Sequence, residues 1–113
     1  MASMAGKVAL ITGGGQGVGL GIAHAFAAEG ARIVLTGRTP EKLKVAADAI
    51  AARHGVETLI VSGDVRERRH AEAAVAATKE KFGRLDVLVN NAQTSTPFLP
   101  LEDITDDMLS QNL

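Results

Sequence analysis

The chain has 113 residues, no cysteine and a formal net charge of −1 at pH 7. Apolar residues make up 46% of it and charged residues 22%, which is typical of a soluble globular domain rather than a disordered or membrane protein. The missing cysteines exclude disulfides and thiolate metal sites, and the near-neutral charge gives no reason to expect nucleic acid or a membrane as partner. No export signal is visible, so we expect a cytoplasmic protein.

In the first half of the chain, two apolar runs alternate with two segments of helical spacing. Residues 8–11 and 33–35 are continuously apolar, which predicts strands that are buried on both faces, as in a parallel sheet. Thr39 and Pro40 predict the N-cap and the first position of the second helix. The two helical stripes lie at Val18, Ile22, Ala25 and Phe26, and at Leu43, Ala46, Ala47 and Ile50.

The second half continues this alternation. Residues 59–61 and 87–89 predict the third and fourth strands, again buried on both faces. Residues 94–100 predict an irregular loop, and Thr105 with two following aspartates predicts the start of a fourth helix. The third helical stripe lies at Ala71, Ala74, Val75, Thr78 and Phe82. Glycines stand where the three helices are expected to end, at Gly30, Gly55 and Gly83.

This βαβαβαβ order predicts a Rossmann-type α/β fold, a partial doubly wound parallel sheet with strand order 3-2-1-4 and the beginning of a fourth helix. Right-handed crossovers between parallel strands leave few other arrangements. A sheet that ended at the fourth strand would expose an apolar edge.

Five glycines occur in the stretch LITGGGQGVG, residues 10–19, directly after the first strand. In an open α/β sheet a ligand binds beyond the carboxyl ends of the strands, where the strand order reverses, and this turn lies there. Gly13 permits a sharp turn, Gly17 lets the helix start approach a ligand, and Gly19 lets the helix pack on the sheet. Free amide groups at the helix start suit a pyrophosphate. In the alternative interpretation, these glycines form only a flexible turn and bind no ligand.

The spacing is neither that of a triphosphate loop, GxxxxGK[ST], nor GxGxxG, but TGxxxGxG. It resembles the motif of the short-chain dehydrogenase/reductase family, and GDV at 63–65, NNA at 90–92 and Asn112 follow in the family's order. The resemblance implies one NAD(P)-binding domain over residues 1–113, truncated at its C-terminal side, with Asn112 as a catalytic residue and no metal. The implied cofactor-binding residues are Gly13, Gly15, Gln16, Gly17, Val18, Gly19, Arg38, Asp64, Val65, Asn91 and Ala92.

Arg38 ends the second strand, where a dinucleotide site meets the ribose 2′ position. An acid there would repel a 2′-phosphate, whereas an arginine binds it, and LTGRTP contains no acid. This favours NADP(H) as the cofactor, with NAD(H) as the second choice. In the alternative interpretation, Arg38 is an exposed loop residue that binds no cofactor. Many NADP-preferring relatives have a second basic residue in the glycine loop, where this chain has Gln16.

Several polar residues have a structural interpretation beside the functional one. Asp64 contacts the adenine if the resemblance holds and is otherwise a loop acid or helix cap, and Asn91 can also simply close its strand. The three histidines, His24, His54 and His70, lack metal-ligand spacing, and we expect them on helix surfaces.

The resemblance implies an oxidoreductase that interconverts a hydroxyl and a carbonyl on a small organic substrate, with a tyrosine, a lysine and a serine managing the proton. The chain contains no tyrosine, and the family's serine and YxxxK pair lie beyond the fourth helix. We therefore expect the chain to be the nucleotide-binding half of a longer protein and to be inactive alone. A homo-oligomer is also considered. The alternatives are a non-catalytic dinucleotide-binding or regulatory module and a fragment that needs a partner chain.

Overall fold

The computed structural model describes residues 3–64 and 67–91, together with the backbone of 98–100. Strands and helices alternate as far as the fourth strand, because each buried apolar run is followed by a segment with one apolar helical face. The strands are β1 (Val8–Thr12), β2 (Arg32–Gly37), β3 (Thr58–Ser62), β4 (Val87–Asn90) and β5 (Phe98–Pro100). The helices are α1 (Gly17–Ala28), α2 (Pro40–His54) and α3 (Arg68–Phe82).

The described strands form one sheet in the order β3-β2-β1-β4-β5. β1 pairs in parallel with β2 on one side and with β4 on the other, and Leu10 lies opposite Val34 and Leu88. β2 pairs in parallel with β3. The predicted Rossmann-type arrangement with strand order 3-2-1-4 is therefore confirmed, and the sheet's order reverses beside β1, next to the glycine loop.

The predicted loop at 94–100 is wrong for its last three residues. Phe98–Pro100 form β5, which pairs antiparallel with β4, with Leu99 opposite Leu88. This pairing covers the edge of β4 that we expected to be exposed. A run of three residues that ends in proline gives no strand signal by itself, and proline is tolerated in a sheet only at an edge or a strand end. The start of a fourth helix at Thr105 lies outside the described residues.

Burial follows the predicted pattern in the centre of the sheet and departs from it at the edge. Every residue of β1 is buried, as are residues 33–36 of β2. The α2 stripe is buried as predicted, at Leu43, Ala46, Ala47 and Ile50. β3 is only half-buried along 58–61, which corrects the prediction of burial on both faces: it has a neighbour on one side only among the described strands.

The predicted apolar face of α1 is wrong in part. Val18 is 71% exposed and Ala25 is also exposed, whereas Gly19, Ala23 and Ala27 are buried. All three are glycine or alanine, and small side chains let α1 approach the sheet more closely than a stripe of large residues would. Ile22 and Phe26 are half-buried at the margin of this face.

The helix ends lie close to where the glycines predict them. Gly55 and Gly83 are the C-caps of α2 and α3, with φ of +69° and +77°, a left-handed conformation that favours glycine. Thr39 is the N-cap of α2 and Pro40 follows it, although the Thr39 hydroxyl makes no capping hydrogen bond. None of the helices that the structure describes combines the length and the apolar character needed to cross a bilayer.

Candidate functional site

The glycine loop runs from the end of β1 to the start of α1 and turns across the end of β2. Gly13 and Gly17 have φ of +64° and +62°, so both take a backbone conformation that other residues adopt only with strain. The N–H groups of Gly13 and Gly14 donate to the carbonyl of Thr36 at 2.9 and 3.3 Å. The loop is therefore tied to β2, and its outer side lies at the carboxyl edge of the sheet.

Two positions in this stretch have no room for a side chain. A Cβ on Gly19 would overlap the carbonyl oxygen of Gly13 and would lie 2.8 Å from Nδ2 of Asn91. A Cβ on Gly14 would lie 2.6 Å from the Leu35 side chain. Gly17, in contrast, faces open space, because a Cβ there would meet nothing within 4 Å. The loop is thus packed on its inner side and accessible on its outer side at the start of α1.

The end of β4 closes the floor beside the glycine loop. The Asn91 N–H donates to Oγ1 of Thr12 at 2.9 Å, and the Asn91 amide group donates to the Gly13 carbonyl at 3.4 Å. The Thr12 hydroxyl in turn lies 3.3 Å from the Val89 carbonyl oxygen. Asn90 is buried, 4% exposed. These contacts agree with the interpretation of Asn91 as a strand-closing residue and also place it at the pocket described next.

A pocket of about 540 Å³ lies outside the carboxyl ends of β1 and β2, which is the expected place for a ligand in an open α/β sheet. It brings together seven of the eleven predicted cofactor-binding residues: Gly13, Gly15, Gln16, Gly17, Val18, Arg38 and Asn91. The lining residues are Gly13, Gly15, Gln16, Gly17, Val18, Gly37, Arg38, Thr39, Lys42, Leu43 and Asn91.

The remaining predicted residues lie beneath the pocket, beside it or beyond the described part. Gly19 is buried under the loop. Asp64 lies beside the pocket, where its carboxylate is 3.4 Å from the Arg38 guanidinium. Asp64 does not cap α3, because Glu67 holds that position. Val65, Ala92 and Asn112 lie outside the described residues.

The charged side chains that line the pocket, among the residues the structure describes, are Arg38 and Lys42, and both are basic. Arg38 is 61% exposed and its partner Asp64 27%. Lys42 donates from Nζ to Oε1 of Gln16 at 2.9 Å. Sequence reasoning missed Lys42. The position of Lys42, two residues after Pro40, could have identified it as a pocket residue, because side chains in the first helical turn point back toward the helix N-terminus.

The three histidines lie on helices as predicted, but they are half-buried rather than freely exposed. Nδ1 of His24 and Nε2 of His54 lie 2.9 Å apart, and this contact joins α1 to α2 at half-buried positions. Burial, and then the proximity of His24, lower the pKa of His54. His70 is half-buried beside Gly63. Within the described ranges, no three His, Asp or Glu side chains come together as a metal site would require.

The fold and this pocket define a Rossmann-type nucleotide-binding domain. The family model of the short chain dehydrogenases matches residues 7–113, and the chain belongs to that family. It is 44% identical to a 12alpha-hydroxysteroid dehydrogenase from Clostridium sp., over 90% of this chain and 42% of that protein. The chain therefore spans less than half the length of this curated relative.

Solved structures of the family are similar over most of the chain. The L-sorbose reductase from Gluconobacter frateurii, complexed with NADPH and L-sorbose, is 38% identical with a TM-score of 0.78, covering 96% of this chain and 41% of that one. The NADPH-dependent 3-quinuclidinone reductase from Rhodotorula rubra is 37% identical with a TM-score of 0.71, covering 76% and 32%. The identification of the family from TGxxxGxG, GDV and NNA is thereby confirmed.

Proposed function

We propose that this chain is the dinucleotide-binding part of an NADP(H)-preferring short-chain oxidoreductase, which interconverts a hydroxyl and a carbonyl on a small organic substrate. The carrying observation is the pocket at the end of β1 and β2, which is walled by the glycine loop and has Arg38 on its rim. Residues 1–113 then belong to one nucleotide-binding domain.

The pocket fits a dinucleotide in two respects. The Cβ positions on Gly14 and Gly19 are blocked on the inner side, whereas Gly17 at the start of α1 is open, so backbone amides remain accessible to phosphate oxygens. Gly15 and Gly17 would hold the pyrophosphate beside the turn at Gly13, whose N–H is already bonded to Thr36. Arg38 would bind a 2′-phosphate as a charge-assisted pair. When bound, the nicotinamide supplies hydride transfer.

Two of the similar structures support the NADP(H) preference. The sorbose reductase was solved with NADPH, and the quinuclidinone reductase is NADPH-dependent. Arg38 supports the same preference from the side of this chain, because an acidic residue is what favours NAD at the end of the second strand. NAD(H) remains the weaker ligand in this proposal.

Titration of the 113-residue chain with NADPH and NADH tests the proposal. We expect saturable binding with NADPH preferred, and we expect Arg38→Asp to weaken NADPH binding by about ten- to a hundredfold, because it replaces a charge-assisted contact with repulsion. Arg53→Asp, at the far end of α2, makes the same charge change and should leave the affinities unchanged. A parent chain that binds neither dinucleotide would overturn the proposal.

The chemical step is expected to need residues beyond these 113, which contain no tyrosine, because the family's proton transfer uses a phenol. We therefore expect the chain to bind NADPH without consuming it when carbonyl compounds are added. The comparisons do not favour a non-catalytic module or a partner-dependent fragment. Concentration-independent unfolding of a monomer that binds NADPH would exclude the latter.

A further inference from the structure

Lys42 lies beside the glycine loop, and its ammonium is hydrogen-bonded to that loop. The Lys42 Cβ lies 3.5 Å from the position that a Cβ on Gly15 would take. At the other end, the ammonium donates to Oε1 of Gln16 at 2.9 Å. Although 26 residues separate Gln16 from Lys42 in the chain, the side chain spans the gap between the first turn of α2 and the loop. It lines the same pocket as Arg38.

The two cations of the pocket have different partners. The Arg38 guanidinium lies 3.4 Å from the Asp64 carboxylate, so part of its charge is offset by an acid. The Lys42 ammonium meets the neutral amide of Gln16, and the structure gives Lys42 no ion pair with any described residue. The uncompensated positive charge on the described rim therefore comes largely from Lys42.

A phosphate monoester is matched better by two cations than by one. It carries between one and two negative charges near neutral pH and offers three acceptor oxygens. Arg38, already shared with Asp64, supplies one positive charge at the pocket where the ribose 2′ position is expected. Lys42 is the other positive charge that lines this pocket among the described residues.

We propose that Lys42 binds the adenosine 2′-phosphate of NADP(H) together with Arg38, and that Gln16 is a positioning residue that keeps the ammonium at the pocket rim. Lys42 then takes the role of the basic residue that the glycine loop lacks at Gln16. This inference rests on the proposed function and adds a determinant of the preference for NADP(H) over NAD(H).

The test compares ligands that differ only in the 2′-phosphate. Adenosine 2′,5′-bisphosphate and AMP are titrated into the chain, followed by NADPH and NADH, with calorimetry as the readout. Lys42→Met should weaken both 2′-phosphorylated ligands by about tenfold, because one charge-assisted contact is lost, and should leave AMP and NADH unchanged. Lys42→Arg keeps the charge and should retain most of the preference.

Lys44→Met is the matched control, since Lys44 lies in the same helix but pairs with Asp48 and does not line the pocket. It should change none of the four affinities. Thermal unfolding checks that each variant is folded, and the exposed position of Lys42 makes this the expected result.

The role of Gln16 is tested by a double-mutant cycle. Gln16→Ala should weaken the 2′-phosphorylated ligands by about threefold in the parent and have no effect in the Lys42→Met background, because it acts only through Lys42. An equal effect in both backgrounds would show that Gln16 acts on the loop rather than on the lysine.

The outcomes separate this inference from the function on which it rests. If the parent binds neither NADPH nor the bisphosphate, the proposed function is wrong. If the parent prefers the 2′-phosphorylated ligands and Lys42→Met retains that preference within about twofold, the function stands and the assignment of Lys42 is overturned. Equal weakening of AMP by Lys42→Met would likewise overturn it, since the lysine would then act elsewhere on the nucleotide.

Discussion

The two ends of the parallel sheet use their polar groups in opposite ways. At the amino end, the Asp86 carboxylate accepts from the buried Val8 N–H at 2.8 Å and from the Arg84 guanidinium at 2.8 and 2.7 Å. Arg32 donates to the Gly6 carbonyl at 3.0 Å. These donors and acceptors bind one another, so this end contributes to stability and offers little to a ligand.

At the carboxyl end, the same sheet leaves its charges facing a pocket. Arg38 and Lys42 line it, and the amide of Gln16 is the partner of Lys42. The open side of Gly17 adds accessible backbone. One fold thus separates the two tasks by strand direction. Substitutions at the amino end should change stability without changing cofactor binding, and those on the pocket rim should do the reverse.

Gly19→Ala is expected to have the largest effect, because it damages both properties at the carboxyl end. The new Cβ would overlap the Gly13 carbonyl oxygen and crowd the Asn91 amide, so α1 must shift away from the loop. We expect a loss of about 1–3 kcal/mol in the free energy of unfolding, as for overpacking of a core. NADPH affinity should fall by more than about tenfold.

Gly21→Ala is the matched control for this prediction. Gly21 lies in the same helix, and a Cβ there meets nothing within 4 Å. The substitution should stabilise the chain by up to about 1 kcal/mol through helix propensity. If Gly19→Ala behaved like Gly21→Ala in denaturant unfolding and in NADPH titration, the close packing of α1 on the loop would not matter for either property.

Asp86→Ala is expected to have the next largest effect, and on stability alone. It leaves the Val8 N–H without its carboxylate acceptor and should cost about 1–3 kcal/mol in urea unfolding. The Asp48→Ala control removes an exposed pair with Lys44 and should cost under about 1 kcal/mol. NADPH affinity should stay at the parent value in both. A change in affinity for Asp86→Ala would mean that the two ends are coupled.

The pH dependence of stability gives a second readout of Asp86. Its hydrogen bond with Arg84 is the main cause that lowers its pKa from the ordinary 3.8. The unfolded chain then binds the proton more readily, so this stabilisation is present above pH 3.8 and is lost as the pH falls through the lowered pKa. The parent should therefore lose its advantage over Asp86→Ala in acid.

The sequence predicts the central strands well because buried parallel strands appear as continuous apolar runs, as at 8–11 and 33–35. The order of the strands then follows from right-handed crossovers. It predicts β5 poorly because the partner of Phe98–Pro100 is an edge that exists only after folding. Periodicity assigns the buried face of α1 mostly to large residues, whereas close approach of the helix to the sheet selects Gly19, Ala23 and Ala27. Hydrophobic periodicity records which positions are apolar and carries no information on how closely a helix must approach the sheet.

The candidate site, too, has features that the sequence predicts and features that it does not. The glycine spacing and Arg38 are local signals, adjacent in sequence to the strand ends that present them. The Lys42 contact with Gln16 spans 26 residues and the contact of His24 with His54 spans 30, so each depends on how α2 packs beside α1. Such contacts follow from the relative placement of elements, which composition and spacing do not encode.

The smallest expected effect concerns the two histidines, which join α1 to the last turn of α2, toward the amino end of the sheet. Burial, followed by His24 and Arg53, lowers the pKa of His54 below its ordinary 6.5, so the unfolded chain takes up the proton more readily. The contribution of His54 to stability is therefore full above pH 6.5 and declines as the pH falls through 6.5 toward the lowered pKa. His54→Gln keeps a hydrogen-bonding side chain without the titration, and we expect its Tm to fall less than the parent's between about pH 7.5 and pH 5.5.

Arg53→Gln, the control, removes a neighbouring charge but keeps the histidine pair and should retain most of the parent's decline in Tm. If the parent and His54→Gln lost stability in parallel, the histidine contact would contribute nothing to the acid sensitivity.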